Sequence, residues 1–265
     1  MNAVQQLLQS VPEWVSIKER QRETATVLAS PPGLSGSFPG GFWLRLEVSE
    51  HGGVAVSEVQ DQRQLPEFCL ERHINPDSTF CVFFRSDHPL EDAEDAETWW
   101  SYLAVYLANQ VYAKKRGIWP LGSGLSHGDA AHIQIKMEAL AEPLGWKDDL
   151  WQAMFRGKGW LAERLPRISK QRDRVVNART PCPRGCTWKH KLLRKDSCQV
   201  DSCESDCNRM HKSILRAECP NRQVIESLVL HEHERQRIEA RMVESVKTEG
   251  RVCCGTMKRC PLRKS

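Results

Sequence analysis

The sequence predicts an α+β domain followed by a small cysteine-rich module that contains a long helix. Apolar residues first recur at helical spacing and then alternate at strand spacing, which is typical of a helix followed by an antiparallel meander. Nine of the eleven cysteines lie from Cys182 onward. The net charge also changes sign, since residues 1–155 contain 12 Lys and Arg against 21 Asp and Glu, and residues 156–265 contain 26 against 13.

These changes divide the chain into three predicted parts. Residues 1–155 form the acidic domain, residues 156–180 a basic linker, and residues 181–265 the cysteine-rich domain. No stretch approaches the roughly 20 consecutive apolar residues that span a bilayer, and the N-terminal residues lack the basic flank of a secretion signal. We therefore expect a cytoplasmic protein that does not enter membranes and whose thiols are reduced.

The acidic domain is expected to begin with a helix and continue as strands. Residues 3–11 have apolar positions at helical spacing, and Pro12 is expected to end this helix. Gly52 and Gly53 mark a tight turn between two strand-like segments, which predicts a β-hairpin. The segments that alternate as strands do are residues 14–28, 42–48 and 54–59.

Helices are expected in the later part of the chain. Residues 98–116 have apolar side chains at i, i+3 and i+4 spacing, which predicts an amphipathic helix. A second helix is expected from Ala130 to Pro143. Residues 221–250 contain charged turns throughout and no Pro or Gly before Gly250, which predicts one long helix.

The segment from His73 to Cys81, HINPDSTFC, is the candidate catalytic site. A thiol beside a polar turn suits nucleophilic chemistry, and the Asn75 carboxamide is a candidate donor to a developing oxyanion. His73 is either a base or a support for the loop, and Asp77 suits a β-turn. The alternative for Cys81 is a small buried side chain, which is also what we expect of Cys69 in its apolar-alternating stretch.

The order of these features resembles the ubiquitin-conjugating enzymes, in which a helix and an antiparallel meander precede a His-Pro-Asn turn and an acceptor cysteine. Here His73-Ile74-Asn75 and Cys81 follow in that order, with Ile74 in place of the proline. The sequence from Asn75 to Val82 is similar to that of the divergent bacterial members that have a cysteine-rich C-terminal region. Trp119-Pro120 and Ser126-His127-Gly128 also resemble those members.

The resemblance implies a transferase. Cys81 would carry a ubiquitin-like protein as a thioester, Asn75 would stabilise the oxyanion, and His73 would support the loop. The implied partners are a ubiquitin-like protein, an activating enzyme and a protein substrate, and bacterial relatives resemble parts of operons with a role in antiviral defence. Two other classes stay open: a cysteine hydrolase that uses Cys81 and His127, and a non-catalytic adaptor.

An internal repeat predicts metal binding in the cysteine-rich domain. The pattern Cys-x3-Cys-x3-His-x7-Cys occurs twice at an offset of 21 residues. Three thiolates and one imidazole per repeat suit tetrahedral zinc, and the repeats could also interleave their ligands. Cys253, Cys254 and Cys260 could supply a third site or replace the histidines. The predicted zinc ligands are Cys182, Cys186, His190 and Cys198 in the first repeat and Cys203, Cys207, His211 and Cys219 in the second.

The positive charge of residues 156–265 has two interpretations. It could bind nucleic-acid phosphates or an acidic protein surface. Only Trp160 and Trp188 are aromatic in this half, which argues against stacking on single-stranded bases. We therefore expect a protein-docking role and keep nucleic acid as the less favoured alternative. His231 and His233 lack the His-Glu-x-x-His spacing of a metalloprotease, so we expect them on a solvated helix face.

Overall fold

A four-stranded antiparallel sheet forms the centre of the N-terminal part, as the computed structural model shows. The strands follow each other in the order β1-β2-β3-β4. The structure describes residues 1–34, 40–82, 90–162, 165–176 and 221–263. The strands are β1 (Val15–Arg20), β2 (Thr24–Ala29), β3 (Phe42–Val48) and β4 (Val54–Glu58).

One face of this sheet is buried because apolar side chains alternate along the strands. Val27 pairs with Leu44 across β2 and β3, and Leu46 pairs with Val56 across β3 and β4. All four of these side chains are buried. The predicted strand over residues 14–28 is in fact the hairpin of β1 and β2. A loose alternation therefore concealed a turn between two strands.

Five α-helices are described, and some of their bounds differ from those that the sequence predicted. The helices are α1 (Ala3–Leu7), α2 (Ala93–Arg116), α3 (Ala130–Ala141), α4 (Lys147–Arg156) and α5 (Arg222–Thr248). The first helix ends well before Pro12. Helix α2 begins five residues earlier than its apolar pattern predicted, because Asp92 and Asp95 form a capping box. The long helix predicted over residues 221–250 is confirmed as α5.

The predicted α+β class is confirmed, with the sheet followed by helices and with a long helix in the C-terminal region. The chain folds as two compact units, one of residues 1–123 and 246–265 and the other of residues 124–245. The predicted domains 1–155, 156–180 and 181–265 stay a prediction, because residues 177–220 lie outside the described ranges. None of the described helices is both long and apolar enough to span a membrane.

Each unit has its own apolar core. In the first unit, α1 packs against α2 and β3, and the Trp100 indole donates a hydrogen bond to the Leu7 carbonyl at 3.2 Å. In the second unit, α3, α4 and α5 contribute Met137, Leu150 and Leu228 to one buried cluster. The sheet and α2 therefore belong to the unit that contains the His73–Cys81 turn.

We predict that Gly41→Ala destabilises the protein by about 2–3 kcal/mol, within the range of damaging single substitutions. Gly41 has a φ of +66° at the start of β3, and an added Cβ would lie 2.6 Å from Ser30 Oγ and 2.9 Å from the Ala29 carbonyl oxygen. The backbone oxygen cannot move without disturbing β2. Urea unfolding followed by tryptophan fluorescence measures the loss.

Gly52→Ala is the matched control, because Gly52 has a φ of +80° but no atom within 4 Å of an added Cβ. The Gly52→Ala variant has only the strain of a left-handed backbone and no steric contact, so its free energy of unfolding should fall by about 1 kcal/mol. Equal losses in the two variants would contradict the contact argument.

Candidate active site

A tight hairpin shapes the chain just before Cys81. The Ser78 N–H donates to the Asn75 carbonyl at 2.9 Å, and the Asn75 N–H donates to the Thr79 carbonyl at 2.8 Å. Ser78 has a φ of +67°, so the turn closes through a left-handed residue. The Asp77 carboxylate accepts hydrogen bonds from the Thr79 N–H and hydroxyl. The Asn-Pro-Asp-Ser sequence thus forms the β-turn that its composition predicts.

The end of the hairpin is joined to the sheet and returns Cys81 to His73. The Phe80 N–H donates to the Val56 carbonyl of β4 at 2.8 Å. The Cys81 N–H donates to the His73 carbonyl at 2.9 Å. Cys81 is half-buried, so its backbone is fixed and its thiol is not sealed in the core.

A buried arginine holds the backbone that leads into this turn. Arg72 is 2% exposed, and its Nε donates to Gln110 Oε1 on α2 at 2.8 Å. Its Nη2 donates to the Gln110 carbonyl at 3.1 Å, and Gln110 Nε2 donates back to the Arg72 carbonyl at 2.7 Å. Burial lowers the pKa of Arg72, because it removes the cation from water.

Tyr106 adds a second connection between α2 and the turn. Its hydroxyl lies 3.2 Å from the Arg72 carbonyl oxygen and 3.1 Å from that of His73. Burial raises the pKa of Tyr106 well above its usual value, so the phenol keeps its proton and serves as the donor. Its ring stacks on Phe80 with centroids 4.9 Å apart. The helix α2 therefore contacts both ends of the hairpin.

The three predicted catalytic residues lie in one short segment of the sequence, and the structure describes the surroundings of each. Asn75 is half-buried, and its Nδ2 donates to Thr79 Oγ1 at 3.0 Å. His73 is in the left-handed region with a φ of +54°, and its ring lies edge-on to Trp119 at 5.0 Å between centroids. This packing and the two hydrogen bonds to the His73 carbonyl suit the loop-supporting role. The chemical roles of Cys81, Asn75 and His73 stay predictions.

Cys69 has a partner that the sequence did not indicate. It is 1% exposed, as its apolar stretch predicted. Its Sγ lies 2.9 Å from Sγ of Cys254, in the segment after α5 that belongs to the same unit. The hydrogen bond between the two thiols, together with burial, raises the pKa of Cys69, whereas the same hydrogen bond lowers the pKa of Cys254 to about 5.

His127 lies in an ionic network of the second unit. Its Nδ1 is 3.5 Å from Glu239 Oε1, and Arg235 donates to Glu239 at 2.6 Å and to Glu232 at 2.7 Å. Burial alone would raise the pKa of Glu239, but the hydrogen bond with His127 and the charge of Arg235 lower it to about 2. Arg235 also donates to the Ser126 hydroxyl at 3.1 Å. These contacts suit a packing role for His127.

The eight predicted zinc ligands all lie outside the described residues, because both repeats fall within residues 177–220. Among the residues that are described, no group of three or more His, Cys, Asp or Glu side chains is arranged to hold a metal. The zinc sites therefore stay a prediction.

Basic side chains of the second unit surround an open cavity of about 430 Å³. It lies between the segment around residue 170 and α5. Arg237 is half-buried, and its Nε has no hydrogen-bond partner among the described residues. The cavity is lined by Ile168, Ser169, Lys170, Arg172, His233 and Arg237.

We predict that Gln110→Ala destabilises the protein by about 3 kcal/mol, the typical cost of removing one partner of a buried charge. The substitution removes the acceptor of Arg72 Nε and a donor to the Arg72 carbonyl. Urea unfolding measures this loss. Asn109→Ala, a half-buried amide next to it on α2, is the control and should cost less than about 1 kcal/mol. An equal loss of unfolding free energy in the two variants would show that the contacts with Arg72 do not account for the effect.

The comparisons with known proteins identify two segments of the chain. No curated protein and no solved structure matches the chain significantly. Residues 192–262 match the family model described as a cysteine-rich domain, C-terminal to E2 domain. Residues 16–121, which include the sheet apart from Val15 and also the His73–Cys81 hairpin, match the family model described as a prokaryotic E2 domain. Along the chain, the two matches name a prokaryotic E2 domain followed by a cysteine-rich domain.

Proposed function

We propose that the protein is a ubiquitin-like conjugating enzyme whose Cys81 carries the modifier. The observation that carries the proposal is the position of Cys81. It follows a rigid hairpin, its N–H is bonded to His73, and its side chain is half-buried, all within the segment that matches a prokaryotic E2 domain. A nucleophilic thiol must be reachable and held in place, and both conditions are met.

The proposed reaction has two acyl transfers. The Cys81 thiolate attacks the thioester that joins the modifier to the activating enzyme, and the thiolate of that enzyme leaves. A deprotonated amine of the protein substrate then attacks the new thioester, and the Cys81 thiolate leaves. Each attack places negative charge on the carbonyl oxygen, which a nearby N–H donor stabilises.

Asn75 is the proposed donor to that oxygen. Its Nδ2 carries two hydrogens, and the bond to Thr79 Oγ1 uses one of them. This bond fixes the orientation of the carboxamide, so the second hydrogen has a defined direction before the substrate arrives. His73 acts through its backbone, which binds the Cys81 N–H and the Tyr106 hydroxyl.

The cysteine-rich domain is proposed to dock a partner or the protein substrate. Each repeat offers three thiolates and an imidazole, a donor set that fits tetrahedral zinc. Bound zinc would hold together a segment that has few apolar residues of its own. The predicted ligands are those of the two repeats between Cys182 and Cys219.

We predict that wild-type protein, incubated with its activating enzyme, ATP and its ubiquitin-like protein, forms an adduct that thiols cleave. Cys81→Ala should form none, and Cys81→Ser should form only an ester that resists thiols. Cys253→Ser, which changes another half-buried thiol of the same unit, is the control and should load normally. Non-reducing gel electrophoresis with and without dithiothreitol measures the adduct. A thiol-labile adduct on Cys81→Ser would refute the proposal.

The role of Asn75 is tested by single-turnover transfer from loaded protein to free lysine. Asn75→Ala should slow transfer about 100-fold, the typical cost of losing one oxyanion donor. Thr79→Val is the matched control, because it removes the bond that orients Asn75 but keeps the carboxamide. Thr79→Val should slow transfer less than Asn75→Ala, and Asn75 is not the oxyanion donor if Asn75→Ala transfers at the wild-type rate.

A second candidate function is that of a non-catalytic adaptor whose basic part binds nucleic acid. The cavity lined by Lys170, Arg172 and Arg237 favours it, because its charged side chains are cations that suit a phosphate.

If this adaptor function holds, the full chain should shift a DNA or RNA duplex in a gel, and its affinity should fall steeply as salt rises. Arg237→Ala should weaken binding and reduce the slope of log affinity against log salt by about 1. Arg241→Ala, an exposed arginine of α5 that does not line the cavity, is the control. Binding that does not depend on salt would exclude this function.

A further inference from the structure

The contact between Cys69 and Cys254 joins two segments that are 185 residues apart in sequence. Their Sγ atoms are 2.9 Å apart, whereas a disulfide bond is about 2.05 Å long. The two sulfurs therefore need to move less than about 1 Å to bond. Among the described residues, no group of three or more His, Cys, Asp or Glu side chains has an arrangement that could hold a metal ion.

Both backbones at this contact are anchored. Cys69 exchanges two backbone hydrogen bonds with Ile74, of 3.2 and 3.0 Å, so it belongs to the structure that leads into the candidate active site. On the other side, Met257 is buried, and the Lys258 N–H donates to the Gly117 carbonyl at 2.8 Å. The thiols are therefore held together by ordered structure on both sides.

The two thiols differ in the way that a peroxide-reactive pair requires. Cys254 is half-buried and can meet a small oxidant, whereas Cys69 is buried and its sulfur lies 2.9 Å from that of Cys254. The two sulfurs are in direct contact, so an oxidised Cys254 sulfur would lie within reach of the Cys69 thiol. Thiolates that are accessible and lie next to a second cysteine are typical sites of reversible oxidation.

We propose that Cys69 and Cys254 form a redox-active dithiol that closes to a disulfide in response to peroxide. The Cys254 thiolate attacks hydrogen peroxide, gains one oxygen to become a sulfenic acid and releases hydroxide. Cys69 then attacks the Cys254 sulfur, the S–S bond forms, and water leaves with the Cys69 proton. The two cysteines lose two electrons in total, and the peroxide is reduced to water.

The disulfide would fasten the segment after α5 to the base of the His73–Cys81 turn. Thr256 in this segment lies 3.5 Å from Arg72 Nη1, so the fastened segment would also keep that contact in place. Closing so long a loop stabilises a folded protein by constraining its unfolded state. The proposed disulfide does not depend on the conjugation chemistry, because it involves neither Cys81 nor Asn75.

The test treats the full-length protein with a small excess of hydrogen peroxide, blocks the remaining thiols with N-ethylmaleimide, and maps the peptides by mass spectrometry without reduction. We expect a cross-linked pair of peptides that contain Cys69 and Cys254, two hydrogens lighter than their sum and separated by dithiothreitol. This measurement on the wild type needs no variant.

Variants then assign the chemistry. Cys69→Ala should stop at the sulfenic acid on Cys254, which dimedone traps, and Cys254→Ser should form no cross-link to Cys69. Cys253→Ser, the neighbouring half-buried cysteine, is the matched control and should cross-link as the wild type does. The proposal is overturned if peroxide joins Cys69 or Cys254 to a different cysteine instead. It is equally overturned if the pair stays reduced while bound zinc protects it and a chelator removes that protection.

Discussion

The buried side chain of Arg72 is the constraint on which the candidate active site depends. A cation in the core is costly unless its donors are satisfied, and Arg72 meets this condition through the side chain and carbonyl of Gln110. The same glutamine binds the Arg72 carbonyl, so the side chain and the backbone of one residue are held by one helix position. Helix α2 therefore fixes the position of the backbone where the turn begins. The hairpin from Asn75 to Thr79 then only has to close on itself and return Cys81 to His73.

This constraint also explains why His73 has an unusual backbone conformation. A left-handed residue that is not glycine is strained by roughly 1–2 kcal/mol. The carbonyl of His73 binds both the Cys81 N–H and the Tyr106 hydroxyl, and these two bonds offset the strain. The sequence indicated an oxyanion donor and a loop support but not how the loop is supported. The support is a backbone carbonyl and a ring contact with Trp119, neither of which needs an ionised imidazole.

Local sequence patterns predicted the secondary-structure elements, but they did not predict the contacts between residues far apart in the sequence. Strand β3 was predictable from its alternating apolar residues, and helix α5 from a charged segment that lacks Pro and Gly. Both patterns depend only on residues close together in the sequence. The division of residues 14–28 into two strands depended on a turn that their loose alternation hid. The Arg72–Gln110 contact spans 38 residues and the Cys69–Cys254 contact spans 185. Periodicity contains no information on such pairs, although an apolar stretch that holds one cysteine and a C-terminal Cys-Cys pair were visible.

The first unit combines two kinds of thiol whose environments suit different chemistry. A thiol that carries a modifier has to release it again, so it must remain a single nucleophile with no second sulfur that competes for it. The hairpin fixes the Cys81 backbone, and the side-chain hydrogen bonds within it are made by Asn75, Asp77 and Thr79. Cys69 and Cys254 have the opposite arrangement, since their sulfurs are in direct contact and Cys69 is buried. Oxidation of such a pair consumes both thiols locally. The burial of Cys69 therefore decides which sulfur meets an oxidant first, and it confines the resulting bond to the base of the turn.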